Sequence, residues 1–135
     1  LVTSPPRFSG ATCQPFIIMC KSQIPQNTQA CVALVDPYST GAMLAPDLVK
    51  RGFAVIALWT KECGENRGHL PKAAVGFPEG FLAEVEEQQT LEQTAEVLCE
   101  ATGGAELAAV IIGGETGVKV GDALSEHLGL RGNST

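Results

Sequence analysis

The sequence predicts a three-layer α/β domain, half of a Rossmann-like fold, around a mainly parallel sheet of four strands, or five if a short run near the start adds an edge strand. Three observations point there. Four short runs are apolar over most of their length, as strands buried on both faces are, and three of them show no alternation at all. The segments between most of them carry helical spacing and end in glycine. The chain has 135 residues, 44% hydrophobic and 18% charged, which supports one core and leaves no room for a large two-domain catalyst.

Residues 1–29 form a lead-in rich in Pro, Ser, Thr and Gln, with one apolar run at Phe16-Ile17-Ile18-Met19-Cys20 that reads as an edge strand or a clip on the domain surface. The α/β domain is assigned to residues 30–135. Cys31-Val32-Ala33-Leu34-Val35 is the first buried strand, short and rich in β-branched residues, and it ends in Asp36-Pro37-Tyr38-Ser39-Thr40-Gly41. Between Ala42 and Arg51, Leu44, Ala45, Leu48 and Val49 recur at helical spacing, with Gly52 as the stop. Pro46 removes a backbone donor, so that helix either starts late or bends. Phe53 to Trp59 is the second strand.

Residues 60–78, with three glycines and two prolines, are a connection. Phe81 to Val85 gives a third short strand. From Thr90 to Thr102 a helix sets Leu91, Ala95, Leu98 and Cys99 against Glu92, Glu96 and Glu100, closed by Gly103-Gly104. Leu107 to Ile112 is the strongest strand signal. It leads through Gly113-Gly114-Glu115-Thr116-Gly117 into a third helix with Val120, Leu124 and Leu128 inward, ending at Gly129. Right-handed crossovers make 3-2-1-4 the most economical strand order. The loops after the first and fourth strands would then flank the reversal point where such sheets hold ligands.

Charge narrows the partners. The formal net charge is −6, which argues against a grip on nucleic-acid phosphates. Seven glutamates and no base fall within residues 79–102, a solvated helix face with its approach, or an acidic docking surface. No apolar stretch is long enough for a membrane helix. No signal peptide is visible, and a chain opening on Leu1 reads as trimmed or partial. Five cysteines without a CxxC read as reduced thiols, which points to a cytoplasmic protein. His69 and His127, 58 positions apart, offer neither a zinc site nor a triad.

Two loops carry the candidate chemistry. In the first, Tyr38, Ser39, Thr40 and Gly41 let the chain turn sharply and present backbone N–H groups to an anion, or a hydroxyl simply caps the helix. It matches neither GxGxxG nor the GxxxxGK[ST] loop. In the second, Gly113, Gly114 and Gly117 permit close backbone approach, Thr116 is placed to cap, and Glu115 either sits in the first helical turn or projects into the crevice toward an ammonium group or a partner loop. Ser39, Thr40, Glu115 and Thr116 are expected to lie close together. None is expected to be catalytic, and no metal ligand is assigned.

Four blocks, in order, resemble a known family: Val35-Asp36-Pro37-Tyr38-Ser39-Thr40-Gly41 with Leu44-Ala45-Pro46, then Phe53-Ala54-Val55-Ile56, then Ile112-Gly113-Gly114-Glu115-Thr116-Gly117-Val118 with Asp122-Ala123-Leu124-Ser125, and Leu128-Gly129-Leu130-Arg131-Gly132-Asn133. They are similar to the N-terminal, pre-ATP-grasp domain of ATP-grasp carboxylate–amine ligases, in the branch holding L-amino-acid ligases and carnosine synthases. The resemblance implies an enzyme that activates a carboxylate with ATP and magnesium as an acyl phosphate, which an amine then attacks. It implies that this domain lines one side of the substrate cleft and packs on downstream ATP-grasp lobes, and is inactive alone. Those lobes, with their nucleotide and magnesium residues, lie outside this sequence, so neither cofactor is assigned a residue here. A second copy of the chain is a further candidate partner. A non-catalytic small-ligand or protein-interaction module on the same fold is the alternative reading, with a small Rossmann-like nucleotide binder a third.

Overall fold

A computed structural model describes residues 29–69, 71 and 80–133. Strands Cys31–Val35 (β1), Ala54–Trp59 (β2), Ala83–Glu86 (β3) and Leu107–Ile112 (β4) form one sheet in the order β3-β2-β1-β4, and every pairing is parallel. Helices Leu44–Lys50 (α1), Leu91–Ala101 (α2) and Val118–His127 (α3) flank it, with 3-10 turns at Ser39–Met43, Gly64–Gly68 and Glu115–Gly117. This is a small Rossmann-like α/β domain with the expected strand order. Phe16–Cys20, the proposed edge strand, lies outside the described residues.

Every residue of β1 and β2 is buried, because each has a strand on both sides and helices on both faces. On one face, Ala33, Val35, Ile56 and Leu58 pack with Leu98 of α2 and Leu124 and Leu128 beside α3. On the other, Leu34 and Val55 meet Ala45 of α1, with Leu48, Phe81 and Ile111 at the margin. A fully buried leucine contributes on the order of 1.5–3 kcal/mol relative to exposure, so Leu34, Leu58, Leu98, Leu124 and Leu128 hold the layers together.

Three boundaries moved for physical reasons. Pro46 is the third residue of α1, within the first turn, where a missing N–H costs nothing; the helix starts late and the 3-10 turn precedes it. The third strand is Ala83–Glu86 rather than Phe81–Val85, since an edge strand buries only one face: Ala83 and Val85 are half-buried, Glu84 and Glu86 exposed. Phe81 turns to the α1 face instead. Thr90 is the cap of α2 and not its first residue: its hydroxyl accepts from Gln93 N–H at 3.1 Å while the Gln93 side chain accepts from Thr90 N–H at 3.3 Å. Gly129, at φ +66, closes α3, and the next amide, of Leu130, donates 2.8 Å back to the Ser125 carbonyl.

The acidic segment divides between elements. Glu84 and Glu86 stand on β3 and pair with Arg67, whose guanidinium also lies 4.7 Å over the Trp59 ring. Cys31 and Cys63 are free and buried, but Cys99 is disulfide-bonded, so the expectation of reduced thiols throughout is corrected. No helix among the described residues is long and apolar enough to cross a membrane.

Candidate functional site at the carboxyl edge of the sheet

β1 and β4 are neighbours and run parallel, so the loops that follow them emerge at the same end of the sheet. The loops meet at once. The amides of Gly113 and Gly114 donate to the Val35 carbonyl at 2.7 and 3.3 Å, continuing the ladder past the end of β4. A Cβ on Gly41 would stand 1.8 Å from the Gly113 carbonyl oxygen, and one on Gly114 would stand 2.8 Å from the Tyr38 ring carbon that bears the hydroxyl. Three glycines therefore bring backbone against backbone. The first loop and the start of the second close on each other without an open crevice between them at these points.

Asp36, which opens the first candidate loop but is assigned no role from the sequence, holds this junction. Asp36 is fully buried at φ +50, a left-handed conformation that aspartate tolerates better than most residues. Its Oδ1 accepts the Thr60 N–H at 2.7 Å; its Oδ2 accepts the hydroxyls of Thr60 and Thr116, each at 2.6 Å. The Thr60 contacts tie in the loop after β2, and the Thr116 contact ties in the loop after β4. Burial, with the charge of Asp36 and a hydrogen bond to it next, pushes the Cys63 thiol up to about 11, so Cys63 is a protonated donor and not a nucleophile near neutral pH. An acidic residue at the end of a buried strand, followed by proline, was the available signal. That signal does not separate a buried lock from the turn or cap that strand-end aspartates usually make.

Around this lock the predicted residues divide. Ser39 and Thr40 are exposed; Ser39 also sits at φ +51, and its amide donates 2.6 Å to the carbonyl of His69. Neither caps a helix, since the 3-10 turn begins after Tyr38 with no side-chain hydrogen bond. Tyr38 is half-buried and packs against Ala57, Trp59 and Cys63. Thr116, expected as a cap, donates inward to Asp36, and α3 has no side-chain cap. Glu115 is exposed at the first position of the 3-10 turn that leads into α3, where a carboxylate is favoured by the oriented amides. Gly113 and Gly117 line the contact with β1, where a Cβ on Gly117 would stand 2.7 Å from Val35 Cγ1. The structure thus joins the two loops at Gly41, Gly113 and Tyr38–Gly114, turns the half-buried Thr116 toward Asp36, and leaves Ser39, Thr40 and Glu115 on the surface.

Apolar side chains follow these polar ones in the chain. Met43 and Leu44 are 40% and 39% exposed just after Gly41, and Val118 is 43% exposed just after Gly117. Among the described residues, no group of three or more His, Cys, Asp or Glu is placed to hold a metal ion. The arrangement places hydroxyls, one carboxylate and apolar side chains beside the loop junction. The fold is a small Rossmann-like α/β domain whose loops after β1 and β4 pack on each other at the carboxyl edge of the sheet. No family model matches the chain, and no curated protein or solved structure matches it.

Proposed function

We propose that this chain is the pre-ATP-grasp domain of an ATP-grasp carboxylate–amine ligase, serving as one wall of the substrate cleft and as a docking surface for the catalytic lobes, without catalysis of its own. The observation that carries the reading is the closed junction beneath Ser39, Thr40 and Glu115: backbone packed on backbone at Gly41 and Gly113 presents an outward surface and leaves no crevice at that contact. A wall needs rigidity and projecting polar groups. A self-sufficient nucleotide site needs a glycine-rich loop wrapped around phosphates, and the loop after β1 is instead folded onto its neighbour. The strand order, which puts both loops at one edge, supports the same reading. ATP and magnesium belong in this proposal to the lobes that the resemblance implies, and no residue of this chain is assigned to either.

Two measurements test it. The source transcript is sequenced beyond codon 135, with the expectation that the frame continues into a glycine-rich hairpin and an acidic magnesium motif. A frame without them removes the ligase and leaves the protein-interaction module. Calorimetric titration of the chain with MgATP is expected to show no saturable heat; a Kd below about 100 μM, close to −5.5 kcal/mol, would instead establish a nucleotide binder.

A further inference from the structure

We infer that Asp36 is the positioning residue of this surface: its carboxylate couples the loops after β1, β2 and β4, so that Ser39, Thr40 and Glu115 are presented as one unit. The purpose assigned to the coupling rests on the proposed docking role. The coupling itself belongs to this chain alone.

The chemistry of the carboxylate carries the inference. A buried aspartate is costly, and a buried ion is usually paired with a cation; none of the ion pairs among the described residues involves Asp36. It is held by neutral donors, the Thr60 amide and hydroxyl and the Thr116 hydroxyl. These come from two loops that lie 24 and 80 positions further along the chain. An ionised carboxylate accepts at both oxygens and donates at neither, so it can gather all these donors at once. An amide cannot do the same. The NH2 of an asparagine would face the two hydroxyls that now donate to Oδ2, both would have to reverse, and their own protons would lose an acceptor.

Backbone strain points the same way. Asp36 and Ser39 both sit at positive φ, a conformation that persists in non-glycine residues only where the surroundings over-determine it. Between them the Tyr38 amide donates 2.8 Å to the Asp36 carbonyl, so the turn that aims Ser39 and Thr40 starts at the residue whose side chain holds Thr116. Glu115 precedes Thr116 directly. Freeing the Thr116 hydroxyl from Asp36 therefore releases the Glu115 segment at one end of the bond and the Ser39 turn at the other.

The test is hydrogen exchange on the whole chain, amide by amide, for Thr116→Val, Asp36→Asn, the double variant, and Leu98→Ala as a core-destabilised control. Thr116→Val is expected to speed exchange severalfold at Gly113, Gly114 and Gly117, and also at Ser39 and Gly41 across the junction, while core amides of β2 stay unchanged. Asp36→Asn is expected to extend the effect to Thr60–Cys63, and the double variant to add little to it, as shared interactions do. Leu98→Ala should instead raise exchange throughout the sheet. Thr116→Val effects confined to residues 113–117, additive effects in the double variant, or an Asp36→Asn pattern like that of Leu98→Ala would each overturn the coupling. Should Asp36→Asn fail to fold, Thr116→Val and Thr60→Val decide the question, since Thr60→Val keeps its amide bond and removes only the hydroxyl. No partner is needed, so a transcript without ATP-grasp lobes would sink the ligase reading and leave this result standing.

Discussion

Gly41→Ala tests whether the loop junction is as closed as the backbone positions require. The new Cβ would lie 1.8 Å from the Gly113 oxygen, 2.4 Å from its carbonyl carbon and 2.9 Å from its Cα. Ordinary contact begins at about 3.4 Å, so the two backbones must separate by roughly 1.5 Å, and neither clashing group is a side chain able to rotate away. Gly113 is pinned by its 2.7 Å bond to the Val35 carbonyl, and moving it strains that bond and the weaker one from Gly114. Overpacking costs about 1–3 kcal/mol and a buried amide left unpaired about 1–3 more, so a loss of about 3–5 kcal/mol is expected. That is a large share of the 5–15 kcal/mol typical of a small domain. Urea melts give the loss, and amide spectra locate it at residues 39–41 and 113–117. Gly68→Ala is the matched control: no atom lies within 4 Å of its Cβ position and its φ is not in the left-handed region, so its stability should stay within about 0.5 kcal/mol of the parent. A Gly41→Ala melt that coincides with the parent, with the Gly113 and Gly114 resonances unmoved, would refute the closed junction.

Four further outcomes are expected. Because burial pushes the folded Cys63 thiol up to about 11 from an ordinary 9.0, the unfolded chain loses that proton first; stability should fall as the pH rises from about 9 towards 11, and urea melts of Cys63→Ala should lack that fall. Leu98→Ala, at a site with no exposure, should cost about 2–5 kcal/mol in denaturant, whereas Glu96→Gln on the exposed face of α2 should be near neutral. Thr90→Ala removes one arm of the capping box and should cost about 1 kcal/mol by thermal melt. On the proposed function, Glu115→Gln should cost no more than about 1 kcal/mol in the melt, the weight of an exposed carboxylate at a helix start, but lower ligation by the extended enzyme; equal turnover would take Glu115 out of the proposed cleft.

How far the fold could be read depended on how many neighbours each element has. β1, β2 and β4 were legible because β1 and β2 are enclosed by strands and helices, and because β4 carries a continuous apolar run, and a run is visible without context. α2 was legible face by face, since its spacing, cap and glycine stop agree. β3 begins two residues later and ends one residue later than expected: Ala83-Glu84-Val85-Glu86 is a one-sided edge strand, and of the louder apolar pair before it Phe81 packs on the α1 face while Leu82 is exposed.

The site was legible in position and not in shape. Strand order alone placed both loops at one edge, and the glycines announced close approach, but a glycine in sequence does not say what approaches it. Here Gly41 admits Gly113 and Gly114 admits Tyr38, so the space a ligand would take is filled by the protein itself at these points. The same ambiguity hid Asp36. Its donors stand 24 and 80 residues away, and only the parallel register of β1 with β2 and β4 brings Thr60 and Thr116 to one carboxylate. The cap expected of Thr116 is not made for a related reason: its hydroxyl is turned inward to donate to the Asp36 carboxylate, which takes its oxygen away from the amides of the following turn that a cap would accept from. Thr116 is committed inward and its neighbour Glu115 is exposed, so which side chain of this turn reaches solvent goes with the residue that holds the loop from within.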